Sequence, residues 1–141
     1  MTNIAFIQGG TAIDLRGSIR FVNDFDMSQV KRFYILENAD TELVRGWRAH
    51  RIEQRWFYVL DGGFSLKTVA IDNWDSPSRS LRAEEITIRS EEQRVIHVPP
   101  GFAITFQALL PWSRLLVFAD FDIEHAKEDD YTYPLDFFNN S

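Results

Sequence analysis

The sequence predicts an all-β protein, either a sandwich or a small barrel. Three observations predict it. Short runs rich in β-branched and aromatic residues recur along the chain, and Gly, Pro, Asn and Asp clusters separate them. No run of alternating strands and helices appears, so a doubly wound parallel sheet is not expected.

The elements follow in order. Arg20-Phe21-Val22 is a weak β run, and Lys31 to Leu36 is a stronger one. Asn38 to Glu42 is polar and reads as a loop. Val44 to His50 and Gln54 to Leu60 are the next two strands. Asp61-Gly62-Gly63 is a hairpin signal, because glycine accepts a positive φ without steric cost. Phe64 to Ile71 returns from that turn. Asp72 to Arg79, with Asn73, Asp75, Ser76, Pro77 and Ser78, is a surface loop. Glu85 to Ile88 and Arg94 to Val98 are short strands. Pro99-Pro100-Gly101 bends the chain, since each proline fixes φ and restricts the residue before it. Phe102 to Leu109 and Arg114 to Phe121 complete the strands. Glu124 to Asp130 is charged and has room for one or two helical turns. The aromatic segment Tyr131 to Phe138 should pack against the body of the protein.

A length of 141 residues suits one domain, read here as residues 1–141 with a short aromatic C-terminal tail. A net charge of -6 argues against nonspecific nucleic-acid binding but leaves room for a few arginines around a small acidic metabolite. The chain has no cysteine, which excludes disulfides, thiolate zinc sites and a cysteine nucleophile. The start, Met1-Thr2-Asn3-Ile4-Ala5-Phe6, lacks the basic and apolar regions of a signal peptide. No apolar run approaches the ~20 residues of a membrane helix. A cytoplasmic protein with no membrane partner is the expectation.

The run Leu43 to Gln54 holds the chemistry. On a strand Val44, Gly46, Arg48 and His50 share a face, opposite Arg45, Trp47 and Ala49. In the next strand Gln54, Trp56, Tyr58 and Leu60 oppose Arg55, Phe57 and Val59. Periodicity does not say which rows face one cavity. Gly46 implies a bulge or a close backbone approach. His50, His97 and His125 are the three histidines, and only His50 stands in this block. One imidazole falls short of the three or four ligands that a divalent ion needs, so no metal is expected. No P-loop, dinucleotide glycine pattern or hydrolase elbow is present.

Two blocks carry a resemblance. Arg45-Gly46-Trp47-Arg48-Ala49-His50-Arg51, with Glu53-Gln54 and Gly62, is similar to the first block of the WxcM-like sugar-nucleotide 3,4-ketoisomerases of the cupin superfamily. Ile96 to Phe106 resembles their second block, and Ser113 to Asp120 their penultimate strand. The resemblance implies a double-stranded β-helix jelly roll, a homodimer, no metal and no cofactor. It also implies a thymidine-diphosphate-linked 4-keto-6-deoxy hexose as substrate, with the carbonyl moved from carbon 4 to carbon 3. In the family the block reads R-G-x-H-A-H. Here Arg48 replaces the first histidine, and arginine cannot act as a base near neutrality.

On this reading His50 is the proton-transfer group, because imidazole titrates near neutral pH. Arg48 either stabilises charge on the substrate oxygen or holds phosphate. Tyr34 is a phenolic acid or a stacking partner, against the commoner role of a strand tyrosine in packing. Arg45, Arg32 and Arg114 are candidates for phosphate. Gln54 is grouped with the substrate-binding residues. Trp56, Tyr58, Phe102 and Phe106 either line a sugar and base cleft or make core. Two alternatives stay open: epimerisation beside the ketone, and a sugar-nucleotide-binding protein without catalysis.

Overall fold

The computed structural model describes residues 3–139. Met1 and Thr2, which open the segment read for a leader, lie outside the described residues. Twelve strands follow in order: β1 (Ala5–Gln8), β2 (Gly10–Asp14), β3 (Gly17–Phe21), β4 (Arg32–Leu36), β5 (Val44–His50), β6 (Arg55–Asp61), β7 (Gly63–Ala70), β8 (Glu84–Arg89), β9 (Arg94–Val98), β10 (Phe102–Ala108), β11 (Arg114–Ala119) and β12 (Tyr131–Thr132). The strands from β4 to β11 match the runs expected from composition. A 3₁₀ turn over Ala126–Asp129 is the helical piece expected in the charged stretch. Strands β1, β2 and the two-residue β12 are additions. The residues of β1 and β2 are mostly exposed, so the burial that drives an alternating pattern is missing there.

The strands form two five-stranded sheets and a hairpin. The first sheet runs β1-β9-β6-β11-β4, the second β12-β5-β10-β7-β8, and β2 pairs with β3. All the pairings are antiparallel. No ladder joins the two sheets among the described residues. Phe57, Val59, Ile96, Leu115 and Val117 from the first sheet meet Phe64, Leu66, Ile88, Ile104 and Phe106 from the second in one core. Burial of these faces is the main stabilising term.

Both outer faces are also covered, which explains why both rows of β6 are apolar. Trp56, Tyr58 and Val95 lie under Val22, Phe25 and Val30. Trp47, Ala49, Val69 and Ala103 lie under the aromatic tail. There Phe138 packs edge-on to Trp47 at 5.2 Å. Trp47 Nε1 donates to the Leu135 carbonyl at 3.1 Å, so its buried polar tip is satisfied.

Gly46 sits where the β5–β10 register shifts between Ile104 and Phe106. Its φ is +125°, and a Cβ there would lie 2.5 Å from the Ile104 carbonyl oxygen. Both expected reasons for the glycine therefore hold, a bulge and a close approach. The bulge also corrects the facing of β5. Simple alternation separates Arg45 from Arg48, yet both line the same cavity.

Candidate functional site

The cavity lies between β4 of the first sheet and β5 of the second, with a volume of about 700 Å³. Tyr34 and Leu36 line one wall, and Ile104 and Phe106 another. The segment after β11 reaches the opening with Ile123, Lys127 and Asp130. Four arginines line it, Arg32, Arg45, Arg48 and Arg55, although the chain as a whole carries a net charge of -6. Glu37 and Asp130 are the carboxylates of the lining. Such a balance favours an anionic ligand.

At the floor His50 is 7% exposed. Its Nδ1 lies 2.8 Å from the backbone carbonyl oxygen of Asp129, which can only accept. Nδ1 therefore carries the hydrogen, and Nε2 holds a lone pair. Nε2 is buried and has no hydrogen-bond partner among the described residues. Burial holds the imidazole pKa below its ordinary value, and nearby Arg55 pushes it the same way; Glu53 and Asp129 oppose the shift. The result is a neutral imidazole with a free basic nitrogen.

Glu53 organises the floor. It is 3% exposed, and its Oε2 accepts from Arg55 Nε at 2.8 Å. The same oxygen is 3.5 Å from His50 Nδ1. Its Oε1 accepts from Arg32 Nη2 at 3.3 Å. Both guanidinium carbons sit over the Tyr34 ring, Arg32 at 5.4 Å and Arg55 at 6.0 Å.

Asp129 ties this floor to the end of the fold. Its buried carboxylate accepts from three successive backbone amides, Arg51 at 2.8 Å, Ile52 at 2.9 Å and Glu53 at 2.7 Å. The side chain thus fixes the β5–β6 connection while the carbonyl of the same residue fixes the His50 tautomer.

The mouth is more exposed. Arg48 Nε lies 3.1 Å from Asp130 Oδ1. Arg45 Nε donates to Asn38 Oδ1 at 2.8 Å, and its Nη2 donates to the Glu37 carbonyl at 3.2 Å. Each of the four arginines is therefore held at Nε, Arg32 through the Phe121 carbonyl.

His50, Arg48, Tyr34, Arg45, Arg32 and Phe106, all expected from the sequence, meet at this cavity. Gln54, Trp56, Tyr58, Phe102 and Arg114 do not line it. Gln54 accepts from His97 Nε2 at 2.7 Å and donates to Asp120 at 3.0 Å. Trp56 stacks on His97, with ring centroids 5.1 Å apart. Tyr58 is in the same outer cluster, and Phe102 packs at the edge of the main core. Arg114 is paired with Asp61. Glu53, Arg55 and Asp129 are the additions to the expected set. An arginine in the otherwise apolar row of Phe57 and Val59 was the signal for Arg55. Among the described residues, no group of three or more His, Asp or Glu is placed to hold a metal ion. No helix there is long and apolar enough to cross a membrane.

No family model and no curated protein matches the chain. Solved structures do. A 3,4-ketoisomerase from Thermoanaerobacterium thermosaccharolyticum, in complex with TDP-4-keto-6-deoxyglucose, aligns with a TM-score of 0.69 at 18% identity. That alignment covers 93% of this chain and 88% of the other. A 3,4-ketoisomerase from Helicobacter canadensis gives 0.72 at 14% identity, covering 93% and 91%. The dTDP-4-dehydrorhamnose 3,5-epimerase of Bacillus anthracis, with TDP and pyrophosphate bound, gives 0.71 at 16%, covering 94% and 79%. The chain thus has the predominantly β, cupin-like fold shared by these isomerases and epimerases.

Proposed function

We propose that the chain is a single jelly-roll cupin domain that binds a nucleotide-linked 4-keto-6-deoxy hexose and moves the carbonyl from carbon 4 to carbon 3. The carrying observation is the buried, neutral His50 with an unpartnered Nε2 at a cavity lined by four arginines. A base is needed to take the proton beside the ketone, and the same imidazole can return it to the neighbouring carbon. Arg45 and Arg48, at the mouth, suit the diphosphate. No net oxidation occurs, so the reaction calls for no redox cofactor, and the metal-free reading needs none at His50. The protein acts in the cytoplasm as a homodimer. Support for the second copy is the β2–β3 hairpin, which leaves Ile13 79%, Leu15 107% and Ile19 67% exposed.

A second reading, 3,5-epimerisation, is favoured by the equally good structural match to a 3,5-epimerase. Both reactions begin by removing a proton beside the carbon 4 ketone, at carbon 3 in the isomerisation and at carbons 3 and 5 in the epimerisation. The test is exchange into deuterated water with TDP-4-keto-6-deoxyglucose, read by NMR. Label arriving at carbon 4 with a new 3-keto signal is the expected result. Label confined to carbons 3 and 5, without carbonyl movement, would shift the assignment to epimerase. His50→Asn should bind the nucleotide sugar and exchange nothing. Wild-type binding with neither exchange nor a new 3-keto signal would leave a sugar-nucleotide-binding protein.

A further inference from the structure

We infer that Arg55 is a further catalytic residue, and that its two terminal nitrogens hold the pair of oxygens that share the negative charge during isomerisation. This rests on the ketoisomerase reading above. Arg48 was the sequence candidate for that task, but its side chain is 56% exposed and it is paired with Asp130 near the mouth. The Arg55 side chain is 9% exposed. Its Nε is committed to Glu53, and that is the single hydrogen bond the guanidinium makes among the described residues. The two terminal nitrogens remain, on a residue that lines the cavity. Arg55 Nε and His50 Nδ1 both approach the same Glu53 oxygen, so base and guanidinium stand side by side.

Charge makes the case stronger. Two guanidiniums share one carboxylate at the floor, Arg32 and Arg55 on Glu53. With His50 neutral, the two guanidiniums exceed the carboxylate they share by one charge, and the other buried carboxylate nearby, Asp129, is taken up by three backbone amides. A partly buried cation in a region of low dielectric attracts an anion far more strongly than one at the surface.

The chemistry has the matching shape. His50 Nε2 takes the hydrogen from carbon 3 as a proton. The C–H electron pair becomes the carbon 3–carbon 4 double bond, and the carbonyl π pair moves onto the oxygen of carbon 4. The hydroxyl proton on the oxygen of carbon 3 passes to the oxygen of carbon 4. The charge now on the oxygen of carbon 3 re-forms a carbonyl there, and carbon 4 recovers the proton from Nε2. The two oxygens sit on adjacent carbons across a planar double bond. A planar guanidinium with two parallel N–H donors fits such a pair as it fits a carboxylate. Ammonium presents a point charge and lacks that fork.

The test uses the full chain with TDP-4-keto-6-deoxyglucose and measures affinity and deuterium exchange at saturation separately. Arg55→Gln is expected to bind within a few-fold of wild type and to lose about 100-fold or more in exchange rate. Arg55→Lys should recover part of that loss. Where the loss of its closer partner at Glu53 prevents Arg55→Gln from folding, the doubly neutral Glu53→Gln, Arg55→Gln protein carries the test, with its fold checked by circular dichroism. Wild-type exchange rates in both folded variants overturn the assignment, as does a loss confined to Arg48→Gln. Those outcomes leave the isomerase reading standing. A wild-type protein that binds TDP-4-keto-6-deoxyglucose but neither moves its carbonyl nor exchanges a proton removes the isomerase reading and this one with it.

Discussion

His50 owes its neutrality to where it is buried. Its pKa lies below the ordinary 6.5 because desolvation disfavours the charged ring, with Arg55 adding to the effect. Between that lowered value and 6.5 an unfolded chain binds a proton that the folded chain refuses. The stability linked to this group is therefore complete above 6.5 and declines as pH falls toward the lowered value. His97, also lowered by burial, acts in the same direction. Urea unfolding between about pH 7.5 and 5 should show the midpoint drop in wild type and drop less in His50→Gln. An unchanged slope in the variant would assign the acid sensitivity to His97. The proton-exchange rate should follow the same protonation, falling on the acid side as the base is consumed.

The segment from Asp122 to Asp130 is the element that completes the cavity. Its firmest attachment is Asp129, whose carboxylate takes three backbone N–H groups of the β5–β6 connection. Asp129→Ala leaves those donors without an acceptor and should cost about 2–4 kcal/mol of stability. Thermal unfolding measures it, and Asp129→Asn should restore part of the loss. Asp130 acts on ligand rather than on stability. Its pair with Arg48 is largely exposed and is worth at most about 1 kcal/mol. Asp130→Asn frees Arg48 and removes a negative charge from the mouth, so TDP should bind about 2–5-fold more tightly by calorimetry. Weaker binding would show instead that Asp130 aims Arg48 at the ligand.

At the scale of the whole molecule the two sheets bury a shared core between them, while the β2–β3 hairpin leaves Ile13, Leu15 and Ile19 exposed. An isolated two-stranded hairpin is marginal in water. A second copy that covers Ile13, Leu15 and Ile19 removes that cost. Sedimentation should therefore find a dimer, and Ile19→Asp should yield monomer with the sheets intact. A monomeric wild type would leave the hairpin without this explanation.

Much of this architecture was legible in the residues. Alternation and turn chemistry found β4 to β11, because those strands pack on covered faces. They missed β1 and β2, where little is buried and no face imposes a period. Of the site, spacing put His50 and Arg48 on one face of β5, and the resemblance of the block singled them out. Arg45 joined them through the bulge at Gly46, which no periodic rule reveals. Glu53 and Asp129 were hidden for another reason. Their roles depend on contacts between distant parts of the chain, and local pattern carries no trace of them.

That distance has a kinetic meaning. The bond fixing the His50 tautomer spans 79 residues of sequence, whereas the β6–β7 turn closes over a few. Long-range closures come late in folding because their entropy is lost before any contact repays it. Catalytic competence should thus lag behind recovery of sheet signal when the protein refolds. The reverse holds near equilibrium: detachment of the Asp129 segment releases Nδ1 and lets the ring exchange tautomers while both sheets stay formed. In the proposed reaction, a local opening far smaller than unfolding would be enough to switch off the base.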